Sequence, residues 1–131
     1  MAAHRKAVVV AGLAALGLGA WAATRPQPAE GRTQEQAPAK REFEVHGKKY
    51  GFDPARIDVA ENDLIKVIFH ADDIAHSFTV DSYRISKRAG AGQTVVFEFR
   101  ADQAGTFPFY CDLTQDDGCR NMKGQLVVRA R

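Results

Sequence analysis

The chain has 131 residues, a formal net charge of +2 and two cysteines, which leaves room for one small domain. Residues 41–131 carry 13 Lys and Arg against 14 Asp and Glu, a net charge of −1 that excludes the basic surface typical of nucleic-acid binding. The sequence also lacks the Ser-His-Asp order and the phosphate-binding loop of common enzymes. We therefore expect neither a nucleic-acid partner nor catalysis.

Residues 1–22 have the pattern of a signal peptide. A basic start, His4 to Lys6, precedes the uncharged and mostly apolar run Ala7 to Ala23. The small residues of Ala20-Trp21-Ala22 fit a cleavage site, and the run is slightly short for a membrane span. The sequence predicts export to the periplasm, with an uncleaved N-terminal membrane anchor as the alternative.

Residues 23–40 are predicted to form a flexible linker. Thr24 to Lys40 contains three Pro and three Gln but no large apolar side chain, so it cannot bury enough surface to offset its ordering entropy. The folded domain is therefore predicted to span residues 41–131.

The domain alternates apolar and polar residues with a period of two, which predicts β-strands. Short turns separate seven or eight such segments, and this spacing indicates an all-β sandwich of antiparallel character. Pro108 donates no ladder hydrogen bond, so its strand is expected at an edge or an irregular position. The segments are Phe43–Val45, Ile57–Val59, Leu64–His70, Phe78–Val80, Tyr83–Ile85, Thr94–Arg100, Thr106–Cys111 and Gln125–Arg129.

A sulfur-rich loop carries the chemistry of the chain. Cys111, Cys119 and Met122 fall within twelve residues, and His76 stands upstream before a predicted strand. The strand alternation turns Cys111 inward where its strand ends, and His76 meets the loop if both strands end at the same pole. Thiolate, thioether and imidazole ligands suit copper, especially Cu(I), better than calcium or magnesium. Zinc is a competitor, since two cysteines and a histidine are a common zinc ligand core, but it bonds poorly to a thioether. These four residues are the predicted ligands of one copper ion.

Three motifs resemble the cupredoxins: Asp72–Phe78 (DDIAHSF), Gly105–Cys111 (GTFPFYC) and Met122-Lys123-Gly124. The resemblance extends from about Phe43 to Val128 and is greatest to the copper domain of cytochrome oxidase subunit II. It implies a Greek-key β-sandwich that holds copper at one pole. It also implies electron transfer with a redox partner, such as a membrane oxidase.

The ligand loop differs from that family at two positions. The subunit II loop runs Cys-x3-Cys-x3-His-x2-Met, and here Gln115 and Cys119 occupy the second and third of these places. A dinuclear centre with two bridging thiolates and the usual two-histidine blue site are therefore not expected. The sulfur-rich ligand set favours Cu(I). The sequence therefore predicts two alternative functions, electron transfer and the holding or delivery of Cu(I) to a partner protein.

A disulfide is the alternative use of the two cysteines. Exported proteins commonly pair their cysteines, and a bridge between Cys111 and Cys119 stabilises the fold by roughly 2–3 kcal/mol on the chain-entropy model. The domain would then be a metal-free interaction module. His46 and His70 are expected to be surface residues, with an additional-ligand or entry-site role as their alternative.

Overall fold

The computed structural model describes residues 37–131, together with Gly12, Gly17 and Gly19. Apart from these three glycines, the predicted signal peptide or anchor lies outside the described residues, as does most of the predicted linker. Within the described part, no helix has the length and apolar character needed to cross a membrane. Nine strands follow in chain order: β1 (Lys40–Lys48), β2 (Gly51–Asp53), β3 (Arg56–Ala60), β4 (Leu64–Ala71), β5 (His76–Val80), β6 (Ile85–Ala89), β7 (Thr94–Arg100), β8 (Gly105–Tyr110) and β9 (Lys123–Arg129).

The strands form two sheets, in the orders β2-β1-β4-β7 and β3-β9-β8-β5-β6. This confirms the all-β sandwich, with the three-residue β2 added to the expected strands. Most neighbouring strands pair antiparallel, as expected, but β1 pairs parallel with β4 and β3 pairs parallel with β9. The chain crosses to the second sheet at β3 and returns at β4, so β4 runs in the same direction as β1.

Phenylalanines fill the space between the sheets. Phe69 from the first sheet lies 5.8 Å, between ring centroids, from Phe78 of the second, and Phe78 stacks on Phe109 at 4.7 Å. Along β4, Ile65, Val67 and Phe69 are fully buried and their neighbours are partly exposed, which is the alternation that the sequence predicts. This core holds the strand ends in fixed positions.

Two local predictions have different outcomes. Tyr83 lies in a 3₁₀ helix (Asp81–Tyr83) rather than in a strand, because its hydroxyl donates to the carbonyl of Gln103 at 2.9 Å; β6 begins only at Ile85. Pro108 lies in an interior strand, at an irregular position of the kind that the sequence gives as the alternative to an edge. Its missing N–H is tolerated because β8 pairs with β5 only at Thr79 and Tyr110.

One end of the sandwich, called here the loop pole, consists of residues 72–75 and 111–122. The first segment joins β4 to β5, and the second joins β8 to β9. The backbone N–H of Asp72 donates to the carbonyl of Gly47 at 2.9 Å, and that of Cys111 donates to the carbonyl of Met122 at 3.4 Å. Both loops are therefore tied to the ends of strands.

Candidate metal centre

His76 is the first residue of β5 and its side chain is fully buried at the loop pole. Its Nε2 lies 2.7 Å from Oδ1 of Asp73, and since a carboxylate only accepts, Nε2 carries the hydrogen. Its Nδ1 is buried and has no hydrogen-bond partner in the described part of the chain. A buried polar atom without a partner is costly, and an imidazole oriented by a carboxylate is the usual form of a metal-bound histidine.

Asp73 is itself held in place. Its carboxylate accepts the backbone N–H groups of Lys49 and Ile74, each at 2.7 Å. Burial alone would raise the pKa of Asp73, but these donors and His76 outweigh it and lower the pKa to about 2. The carboxylate therefore stays ionised and fixes the His76 ring.

The three sulfur-bearing residues also meet at this pole. Cys111 directly follows β8, Cys119 begins the 3₁₀ helix Cys119–Asn121, and Met122 precedes β9. All three are at most 1% exposed, so water is excluded from their sulfur atoms. The backbone N–H of Ser77, the residue after His76, donates to Sγ of Cys111 at 3.3 Å. The strand that carries the imidazole thus contacts the sulfur loop, as the sequence predicts.

Cys111 and Cys119 are joined as a disulfide, with their Cα atoms 5.2 Å apart. In this state neither sulfur is a thiolate, so binding a metal through them requires two-electron reduction of the bond. The structure thus brings the predicted residues to one pole, and their ligand role stays a prediction for the reduced protein.

Polar contacts stiffen the loop around Cys111. The hydroxyls of Ser77 and Ser86 donate to the carboxylate of Asp112 at 2.6 and 3.0 Å. The hydrogen bond from Ser77 is the main reason that the pKa of Asp112 lies below its ordinary value, although partial burial opposes it. Tyr50 covers the far side of the loop, where its hydroxyl donates to Asp116 at 3.1 Å.

His46 and His70 are outward-facing, as the sequence predicts, but they are not isolated from each other. They stand opposite each other on β1 and β4, and their rings stack with centroids 4.7 Å apart. Sequence reasoning missed this pair because the parallel register of β1 and β4 cannot be read from local periodicity. The available signal was two histidines on the polar phases of two strands.

Comparison with known proteins gives a family match and a set of similar folds. Residues 12–128 match the family described as the cupredoxin-like domain. No curated protein matches the chain by sequence.

Three solved structures illustrate the shared fold. The periplasmic domain of subunit II of cytochrome oxidase (CoxB) of Bradyrhizobium japonicum is 16% identical, with a TM-score of 0.60 over 68% of this chain and 83% of that one. The metal-binding domain of the Cu(I)-exporting P-type ATPase CopA of Streptococcus pneumoniae D39, solved with Cu(I), is 18% identical, with a TM-score of 0.57 over 68% and 85%. A chain of a heme-copper terminal oxidase dimer is 15% identical, with a TM-score of 0.60 over 68% of this chain. The match spans only 65% of the length of that oxidase chain.

Proposed function

Because the chain belongs to the cupredoxin-like domain family, we propose that its loop pole binds copper and holds it as Cu(I). The observation that carries this proposal is the buried, unpartnered Nδ1 of His76, on the residue next to the one that contacts Cys111. An imidazole nitrogen shielded from water, close to sulfur donors, suits a soft metal ion better than it suits an empty core.

The residues fit a single copper ion once the disulfide is reduced. His76 supplies an imidazole nitrogen, Cys111 and Cys119 supply thiolates, and Met122 supplies a thioether. Bound copper would provide a redox-active, transferable Cu(I) ion. Asp73 orients the His76 ring, Ser77 donates to the sulfur of Cys111, and the buried surroundings exclude competing water.

The closeness of the two cysteines favours Cu(I) handling over repeated electron transfer. Their Cα atoms are 5.2 Å apart, so the two thiolates can form the disulfide by passing one electron to each of two Cu(II) ions, which become Cu(I). A site with a single thiolate cannot form this disulfide, so it binds Cu(II) more stably. We therefore propose storage or delivery of Cu(I), without catalysis, with one-electron transfer as the alternative within the same family.

The setting we propose is the periplasm, reached through the N-terminal segment. The partner would be a protein that receives copper or electrons, such as a membrane oxidase. Structural similarity to an oxidase subunit II domain and to a Cu(I)-exporter domain supports a partner of this kind.

The proposal is tested on the full chain, purified and reduced without oxygen and then loaded with Cu(I). We expect one copper per chain, protection of both thiols from alkylation, and release of colourless Cu(I) to a strong chelator. Met122→Leu should weaken binding, whereas Gln115→Asn, in the exposed part of the same loop, should not. Reduced protein that retains no copper would refute the proposal, and a coloured, reversible one-electron couple would favour electron transfer.

A second candidate function is supported by the disulfide itself. With Cys111 and Cys119 paired, the domain is a stapled β-sandwich that could serve as an interaction module. Protein isolated from its native compartment separates the two functions. Absence of metal and a mass two hydrogens below that of the dithiol would support the module.

A further inference from the structure

The outer face of the four-stranded sheet carries a second group of metal-ligating side chains: Glu44, His46 and His70, called here the outer-face cluster. His46 and His70 are partners in the register of β1 and β4, and their rings are nearly parallel, at 22°. One donor atom from each of the three residues lies within 4.8 Å of the others. That spacing lets a single ion contact all three after small side-chain movements.

Both rings are anchored through Nδ1. His46 Nδ1 lies 2.9 Å from Oδ1 of Asp72, and because the carboxylate only accepts, this nitrogen carries the hydrogen. His70 Nδ1 lies 2.6 Å from the hydroxyl oxygen of Thr94. Each ring therefore presents Nε2 to the cluster, which is the arrangement that oriented metal-binding histidines show.

The Nε2 atoms lack a satisfactory partner in the described structure. His70 Nε2 is buried and makes no hydrogen bond, although Oε1 of Glu44 lies only 2.8 Å away. His46 Nε2 lies 3.7 Å from the same oxygen. A cation placed between this oxygen and the two ring nitrogens would interact favourably with all three atoms.

Two additional protons, one on each ring, satisfy this geometry poorly. If both rings were protonated, two cations would stack with their centroids 4.7 Å apart and repel each other. One divalent ion instead satisfies both nitrogens and the carboxylate together. Asp72, behind His46, adds a further negative charge to the surroundings of the cluster.

We infer that the outer-face cluster binds a borderline divalent ion, Zn(II) or Cu(II), through Glu44, His46 and His70. Two imidazoles and one carboxylate suit these ions, whereas Cu(I) prefers the sulfur-rich set and calcium prefers oxygen alone. Three protein ligands leave a coordination position open for water or another ligand. This site uses none of the four residues proposed to hold copper at the loop pole.

The test uses the full chain with its disulfide intact, so that the sulfur atoms cannot compete for the ion. His4→Ala serves as the background, because it removes the one histidine that lies outside both donor sets. Zn(II) binding is measured by calorimetry, and Cu(II) binding by electron paramagnetic resonance, which reports coordinated imidazole nitrogens. We expect one ion per chain and a Cu(II) spectrum with two imidazole nitrogens.

Ligand and control variants separate the site from general surface binding. His46→Gln, His70→Gln and Glu44→Gln should each weaken binding by about tenfold or more. Thr94→Val, which leaves all three ligands in place, should weaken it by a similar factor. Glu42→Gln is the matched control, because Glu42 lies on the same strand but pairs with Lys66 at 3.1 Å.

Two results would overturn the inference. One is a His46→Gln/His70→Gln double variant that binds either ion as tightly as the His4→Ala protein. The other is an absence of binding by the His4→Ala protein at micromolar ion concentrations. Neither result bears on Cu(I) binding by the reduced sulfur loop, so failure here is distinct from failure of the proposed function. Melting temperatures of the metal-free variants verify that each one is folded.

Discussion

Asp72 and Asp73 are consecutive in the chain, but their carboxylates contact histidines of two different donor sets. Asp73 accepts from Nε2 of His76 at 2.7 Å, whereas Asp72 accepts from Nδ1 of His46 at 2.9 Å. Side chains of consecutive residues can point in opposite directions, so one short loop orients a buried imidazole and an exposed one. The two proposed sites are therefore separate in ligands and adjacent in the fold.

The first prediction separates the roles of these two aspartates. Asp73→Asn removes the charge that orients His76, so the affinity of the reduced protein for Cu(I) should fall by about tenfold or more. Asp72→Asn should leave Cu(I) affinity unchanged and weaken Zn(II) binding at the outer-face cluster by a similar factor. Competition against a Cu(I) chelator and Zn(II) calorimetry measure the two effects. Equal losses of Cu(I) affinity in both variants would contradict the assignment.

The second prediction concerns the third position of the ligand loop. Cys119→His leaves Cys111 as the single thiolate and prevents the disulfide, while it adds an imidazole to His76 and Met122. Two imidazoles, one thiolate and a weak thioether form a blue-copper ligand set. We expect Cu(II) loading to give intense visible absorption and a reversible one-electron couple. Cys119→Ser, which lacks both the disulfide and the new imidazole, is the control, and a colourless Cys119→His protein would refute the prediction.

The third prediction tests the disulfide as a structural bond. Reduction should lower the free energy of unfolding by about 2–3 kcal/mol, because the eight-residue separation of Cys111 and Cys119 limits the entropy removed from the unfolded chain. Urea unfolding with and without reductant measures the loss in metal-free protein. Cys119→Ser should be as unstable as the reduced protein and insensitive to reductant. Cu(I) should restore the lost stability to the reduced unsubstituted protein but not to Cys119→Ser. That result would show that the same two sulfur atoms serve either as a disulfide or as Cu(I) ligands.

Local pattern predicted most strands because their alternation reflects burial against one core. Leu64–His70 and Thr94–Arg100 were predicted to within one residue of β4 and β7, and the structure buries Ile65, Val67 and Phe69 as expected. The prediction was wrong at Tyr83, where a contact with Gln103 twenty residues away outweighs the strand propensity of the ring.

The placement of the candidate ligands was predicted in part, because local alternation also marks where strands begin and end. His76 begins a strand and Cys111 directly follows one, and the sequence marks both strand ends, so their meeting at one pole could be inferred. The pairing of His46 with His70 depends on a register between strands separated by β2 and β3, which no local pattern encodes. The state of the two cysteines depends on redox conditions rather than on sequence.

The last prediction concerns Asp63, which is fully buried at the end of the sandwich opposite the loop pole. Its carboxylate accepts the backbone N–H groups of Ala39 at 2.9 Å and Ala60 at 3.2 Å, and it contacts the guanidinium of Arg131. Burial alone would raise the pKa of Asp63, but these donors outweigh it and hold the pKa below its ordinary value. The folded state therefore binds this proton less readily than the unfolded chain does.

The sign of the pH dependence follows from that difference. The contribution of the Asp63 carboxylate to the stability of the folded state is fully present above about pH 4, and it is lost as the pH falls through the lower, folded-state pKa. Asp63→Asn should lower the free energy of unfolding by about 2 kcal/mol at pH 7. Between about pH 5 and pH 3, the free energy of unfolding of this variant should fall less steeply than that of the unsubstituted protein. Asp102→Asn, at an exposed aspartate near the same end, should change neither the free energy of unfolding at pH 7 nor its dependence on pH. Urea unfolding across this pH range measures both, and parallel pH profiles for Asp63→Asn and the unsubstituted protein would show that Asp63 is not the residue responsible.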